Sequence, residues 1–108
     1  MATYMAQVSF TADAWANLCK NPQDRSAVVA KQMEANGGKL LGYYFCFGDY
    51  DAVVISEAQD DRAMLAAMAS VVSAGHVKNT KTTKLFTCQE AMGAMADSAN
   101  WTFVPPSG

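Results

Sequence analysis

Lys39-Leu-Leu-Gly-Tyr-Tyr-Phe-Cys-Phe-Gly-Asp-Tyr-Asp-Ala-Val-Val-Ile-Ser-Glu57 decides the fold. Aromatic and branched residues fill Lys39 to Phe47, which predicts a strand. Gly48-Asp49-Tyr50-Asp51 has the Gly and Asp chemistry of a turn. Ala52 to Glu57 is a second strand. The connection is too short for a crossover, so the two strands form an antiparallel hairpin. Each strand is apolar on both sides. Tyr43 and Phe45 oppose Tyr44 and Cys46, and Val53 and Ile55 oppose Ala52 and Val54. Such a sheet needs cover on both faces.

On the N-terminal side, Thr3 to Phe10 alternates, with Tyr4, Ala6, Val8 and Phe10 on one face and Thr3, Met5, Gln7 and Ser9 on the other, which predicts a strand. Thr11 caps a helix carrying Trp15, Leu18 and Cys19. Pro22 interrupts it, and the helix resumes near Asp24 and stops at Gly37-Gly38, where positive φ is cheap. On the C-terminal side, Asp60 or Asp61 caps a helix with Met64, Leu65, Met68, Val71 and Val72 on one stripe, ending at Gly75. Val77 to Phe86 is a fourth strand, polar in its middle. Thr87-Cys-Gln-Glu90 is a capping box that opens a short last helix. An extended tail follows, with Trp101, Phe103, Val104 and Pro105-Pro106.

The order β-α-β-β-α-β is the ferredoxin-like, split βαβ pattern. Right-handed crossovers put the helices on one face of a four-stranded antiparallel sheet. The other face is bare yet partly apolar. A second copy is its natural cover, because symmetric dimers are the commonest oligomers. The chain is expected to form a sheet-to-sheet homodimer, with a domain over residues 1–97 and a tail over 98–108.

Composition narrows the class. Of 108 residues, 51% are hydrophobic and 17% charged, which excludes a disordered chain. A net charge of −2 and the lack of a basic helix argue against nucleic acid as a partner. No apolar run has the roughly 20 residues of a spanning helix, and the start lacks a basic region followed by an apolar one. The expectation is a cytoplasmic protein with no membrane partner. Cys19, Cys46 and Cys88 are widely spaced and odd in number, so neither a disulfide framework nor a zinc site is expected. No cofactor is expected either.

The hairpin resembles a known family. Gly48-Asp49-Tyr50-Asp51 carries the motif for which the GYD-domain family is called. The opening Ala2-Thr-Tyr, the Asp60-Asp61 helix start, Thr80-x-Thr82, Phe86-Thr87 and Glu90 are also similar to it. The resemblance covers roughly residues 2–97 and implies the dimeric α+β barrel superfamily, in which two ferredoxin-like sheets face each other. Thr83 stands where the family usually has an apolar residue, and His76 where Asn is frequent. The tail from Ser98 has no family counterpart. Most members have no assigned function, so the resemblance carries fold further than activity.

Several residues are candidates for chemistry, each beside a purely structural reading. Tyr43, Tyr44, Phe45, Phe47 and Tyr50 crowd one hairpin; they are core and interface, or they line a pocket for a flat apolar molecule. Tyr4, Tyr43, Tyr44, Tyr50 and Lys81 are the candidate ligand-binding residues. His76 is the candidate general acid or base, having the only side chain that ordinarily titrates near neutrality; otherwise it is an exposed turn histidine. Asp49 and Asp51 flank Tyr50, and turn chemistry accounts for them without function. Asp51 is placed to bond main-chain amides across the hairpin. Lys78, Lys81 and Lys84 make a positive streak that either holds an anionic ligand or protects an edge strand. Met64, Met68, Met92 and Met95 read as core filling. Cys46 reads as a buried thiol, and Cys88, in the first turn of a helix, as the more reactive one.

The leading reading is a small-molecule binding protein with a ligand in the cleft between hairpin, first strand and helices. The resemblance to the barrel superfamily also admits a cofactor-free oxygenase or isomerase acting on an aromatic or polyketide-like molecule. A structural assembly module is the third reading.

Overall fold

The computed structural model describes residues 1–107; the final Gly108 of the expected tail lies outside the described residues. Strand β1 (Ala2–Phe10) is followed by helices α1 (Ala12–Lys20) and α2 (Arg25–Ala35). The hairpin supplies β2 (Lys39–Phe45) and β3 (Ala52–Ala58). Helix α3 (Asp61–Ser73), strand β4 (Val77–Leu85) and helix α4 (Cys88–Asp97) complete the order, and a 3-10 turn over Ser98–Asn100 leads into the tail. The sheet order is β2-β3-β1-β4 with every pairing antiparallel. This is the expected α+β, ferredoxin-like sheet.

Local chemistry sets the boundaries. The Thr11 side chain accepts from the Ala14 amide and opens α1. Asp24 accepts from the Ser26 amide and opens α2, with Pro22 in the break between the two. Asp60, rather than Asp61, caps α3 by accepting from the Ala63 amide. The Thr87–Glu90 box is complete: each side chain accepts from the other residue's amide. Gly37 ends α2 at φ +78°, where a side chain would be strained. Its neighbour Gly38 brings the backbone so near the Glu57 carbonyl that an added Cβ would lie 2.7 Å from it.

The core lies between the helices and one face of the sheet. Tyr4, Ala6 and Val54 pack with Met64 of α3, while Val8, Ala52 and Val77 form a second group. Met33 and Met68 cover the first of these and Tyr43 touches both. Phe10, Trp15, Tyr43 and Phe45 extend the core as an aromatic chain, with neighbouring ring centroids 5.6–6.2 Å apart.

The other face carries Met5 opposite Ile55, and Gln7 and Tyr44 opposite Val53. The Tyr44 ring folds over Gly42. These positions are half-buried or exposed, and Tyr44 is open to solvent.

Several expectations are corrected. β2 ends at Phe45 and not Phe47, because the chain turns there; Phe47 is fully exposed. Cys46 therefore sits past the strand and is exposed, with its thiol donating to the Tyr50 carbonyl at 3.3 Å. β4 ends at Leu85, one residue short of Phe86. Met64 is buried and Met68 packs on the core, but Met92 and Met95 are not core residues: both are largely exposed, because α4 makes few contacts with the strands.

Candidate functional site

β1 and β4 pair so that Lys84 lies opposite Tyr4, Thr82 opposite Ala6 and Thr80 opposite Val8. These side chains share the helix-covered side of the sheet. α3 begins nearby at Asp61, and Met64, Leu65 and Met68 follow at helical spacing along its inner edge. Together they line an open groove of about 460 Å³ with a polar floor and an apolar wall.

A three-residue cluster closes one end of the groove. The Tyr4 hydroxyl donates to Asp61 Oδ1 at 2.5 Å, and Lys84 Nζ lies 3.0 Å from the same oxygen. Asp61 also stands in the first turn of α3, where the helix dipole favours negative charge. The bond from Tyr4, and then Lys84, holds the Asp61 carboxyl below its usual range. The bond to Asp61, with burial and carboxylate charge added, pushes the Tyr4 hydroxyl up to about 12. At neutral pH, Asp61 is an anion and a weak base, while Tyr4 keeps its proton. The cluster holds charge firmly and is poorly suited to moving a proton, because efficient acid–base groups titrate near the working pH.

The predicted ligand residues do not converge. Tyr4 is in the groove. Tyr43 joins the aromatic chain under α1, where burial raises its hydroxyl pKa. Tyr44 is on the opposite face of the sheet, and Tyr50 is in the hairpin turn. Lys81 pairs with Gln7 and so belongs to the uncovered face; the lysine of the groove is Lys84. His76 is exposed and lines a separate depression of about 200 Å³ with Phe10, Leu18, Gln23 and Arg25. Asp61 was legible as a helix-start residue but not as the partner of Tyr4 and Lys84. The only signal for that trio was the register of β1 against β4.

The motif carboxylates have separate roles. Asp51 Oδ2 accepts from the Phe10 amide at 2.9 Å and from the Trp15 indole nitrogen at 3.2 Å. Its own amide donates to the Val8 carbonyl at 2.8 Å. Asp51 thereby ties the hairpin turn to the end of β1 and the start of α1. Asp49 contributes its carbonyl, which accepts from Ser9 Oγ at 3.0 Å. Among the described residues, no three His, Cys, Asp or Glu side chains are grouped as metal ligands. No described helix is long and apolar enough to cross a membrane.

Known proteins of similar sequence and structure extend this picture. A Thermus thermophilus protein called "Glutamine synthetase and cystathionine beta-lyase binding protein" is 33% identical over 79 residues, 72% of this chain and 82% of that one. A crystal structure of a protein from that organism superposes with a TM-score of 0.54 at 16% identity, covering 82% of this chain and 96% of that one. A transcriptional regulator of Neisseria meningitidis, solved as an L-Met complex, superposes with a TM-score of 0.58 at 18% identity. The match covers 81% of this chain but 51% of the regulator, so the chain spans about half its length. At these identities both structures bear on the fold alone. The GYD domain model matches residues 4–95, nearly the whole folded unit, and the chain belongs to the GYD domain family.

Proposed function

We propose that this chain is a binding module that works as a homodimer and holds a small amphipathic molecule in the groove between α3 and β4. The observation that carries the reading is the Tyr4–Asp61–Lys84 cluster at the end of a methionine- and leucine-walled groove. Fixed charges and threonine hydroxyls orient a polar head, and the thioether wall adapts to an apolar body. Free amino acids have this chemistry, and L-methionine is the first to try because the Neisseria regulator was solved with it. Dimerisation is supported by the uncovered sheet face, where Met5, Val53, Ile55 and Tyr44 await an apolar partner.

Binding is favoured over the oxygenase or isomerase reading because Asp61 and Tyr4 both titrate far from neutrality, and His76 lines a different depression. The test is titration of the labelled protein with a panel of free amino acids, followed by amide NMR. Shifts should cluster at residues 61–68 and 80–84 and vanish in Lys84→Ala. Absence of shifts there at millimolar ligand would sink the small-molecule reading.

A second reading has its own support: the Thermus relative is named for two enzymes that it binds. On that reading the exposed apolar surface meets another protein. Co-sedimentation with purified glutamine synthetase and cystathionine beta-lyase tests it, and separate boundaries for all components would exclude both as partners.

A further inference from the structure

The chain exposes more surface than a compact domain of its size. Its accessible area is 7962 Å². A compact monomer of 11.6 kDa exposes about 5,800 Å², leaving a surplus of about 2,100 Å². The radius of gyration, 17.7 Å, likewise exceeds the roughly 13 Å of a compact chain this long. Much of the surplus lies beyond β4. α4 packs mainly on the 3-10 turn that follows it and makes few contacts with the sheet or the other helices. Met92 and Met95 are 67% and 68% exposed, and Trp101 and Phe103 are 82% and 81% exposed.

α4 is not a helix built for solvent. Cys88, Ala91, Met92 and Met95 make an apolar stripe at i, i+3, i+4, i+7, with Gln89, Glu90 and Asp97 off it. It is ten residues long with Gly93 in its middle. Isolated helices this short are marginal in water, and an interior glycine weakens them further. Its capping box serves only the first turn. Such a helix draws its stability from a surface against its stripe, and its own domain supplies little of one.

From these observations we infer that residues 86–104 form an arm that docks on a second copy of this chain and clasps the dimer. This deepens the homodimer of the proposed function and rests on it. Area supports a second copy as the occupant: an obligate homodimer removes about 1,000–2,500 Å² from each chain, which brackets the surplus. Charge supports it as well. The arm carries Glu90 and Asp97 and no Lys or Arg, whereas Lys81 of edge strand β4, opposite Gln7, puts a positive charge on the uncovered face. The arm also continues directly from Leu85, whose partner Thr3 is on the uncovered face, so its apolar surface adjoins that face.

The experiment is amide hydrogen exchange on the full chain over a protein dilution series, with sedimentation run on the same samples. The expected result is a tenfold or greater slowing of exchange at residues 88–97 where the dimer sediments, lost on dilution to monomer. The full-length double variant Met92→Asp/Met95→Asp should weaken dimerisation at least tenfold while keeping the far-UV spectrum of the sheet domain. Equal protection in monomer and dimer would mean that the arm folds onto its own chain, and the inference fails. A dimer with fast-exchanging α4 amides, or a double variant that dimerises normally, would leave the sheet-face dimer standing and refute the arm. A monomer at every concentration would refute both.

Discussion

Replacing Asp51 with alanine tests whether the last carboxylate of the family motif builds the structure or serves the site. The side chain receives two donors, the Phe10 amide at 2.9 Å and the Trp15 indole at 3.2 Å. The Phe10 amide is partly buried where β1 meets α1, so losing its acceptor costs about 1–3 kcal/mol. The indole is nearer solvent and water replaces its partner, so its loss adds roughly 0.5 kcal/mol. A total of about 1.5–3.5 kcal/mol is a large part of the 5–15 kcal/mol that ordinarily holds a domain. At 4–8 °C per kcal/mol for a domain this size, the melting temperature should fall by about 6–28 °C. Thermal melts of Asp51→Ala and wild type at one protein concentration provide the assay, with Asp51→Asn expected between them because it keeps one acceptor. Asp49→Ala is the internal control: its carbonyl remains, and a shift beyond roughly 0.5 kcal/mol is not expected. The groove cluster lies about 20 Å along β1 from Phe10, counting ~3.3 Å per residue, so ligand shifts at residues 80–84 should survive the substitution. An Asp51→Ala protein that melts within 2 °C of wild type would refute the structural account of the motif.

Met64→Ala removes the one long side chain that α3 buries among Tyr4, Ala6 and Val54, and should cost about 2–5 kcal/mol in urea unfolding; a cost under about 1 kcal/mol would mean the wall has collapsed onto the space. Stability should have two pH limbs. Asp61 is held below its usual 3.8, so its contribution is present above that value and is lost as pH falls through the lowered one; Asp61→Asn should flatten the acid limb. Tyr4 is raised from 10.0 to about 12, so its contribution is present below pH 10 and is lost as pH climbs toward 12; an alkaline limb unchanged in Tyr4→Phe would contradict the cluster. Thr87→Ala breaks the capping box at a cost of about 1 kcal/mol to α4, and amide exchange should quicken about fivefold at residues 88–97 but not in β1.

The parts of the fold that local chemistry dictates were legible. Gly37-Gly38, the Thr87–Glu90 box and the hairpin with its short turn each have one low-energy solution, and the chain adopts it. The two apolar faces of β2 and β3 were equally plain, since a period of two needs no tertiary knowledge. The site was much less legible. β4 is polar on both faces, and hydrophobic alternation, which normally fixes register, says nothing there. Only the pairing of Tyr4 with Lys84 shows that Lys84 faces the groove and Lys81 the other side. Cys46 looked buried because the strand was carried two residues too far. Asp51 carries no sequence sign of its bond to Trp15, 36 positions away, because that contact depends on where α1 lies over the sheet.

The distribution of apolar size is the strongest reason to regard the lone chain as incomplete. The buried core consists of Ala6, Val8, Ala14, Ala52, Val54 and Val77 with just two large members, Tyr4 and Met64. Phe47, Leu65, Phe86, Trp101 and Phe103 stand outside with most of their surface in water. Single exposed apolar residues are ordinary, but here the large side chains are outside and the small ones inside. A core of that composition buries little area per residue, so the stability of the chain depends on what covers the rest. Whatever binds only the folded state adds stability that grows with its concentration. For a self-associating chain that partner is the chain itself, and the melting temperature must rise as protein concentration rises. Differential scanning calorimetry over a hundredfold concentration range reads this directly. A midpoint that does not move over that range would mean that the small core suffices alone, and the exposed aromatics would then need an explanation other than assembly.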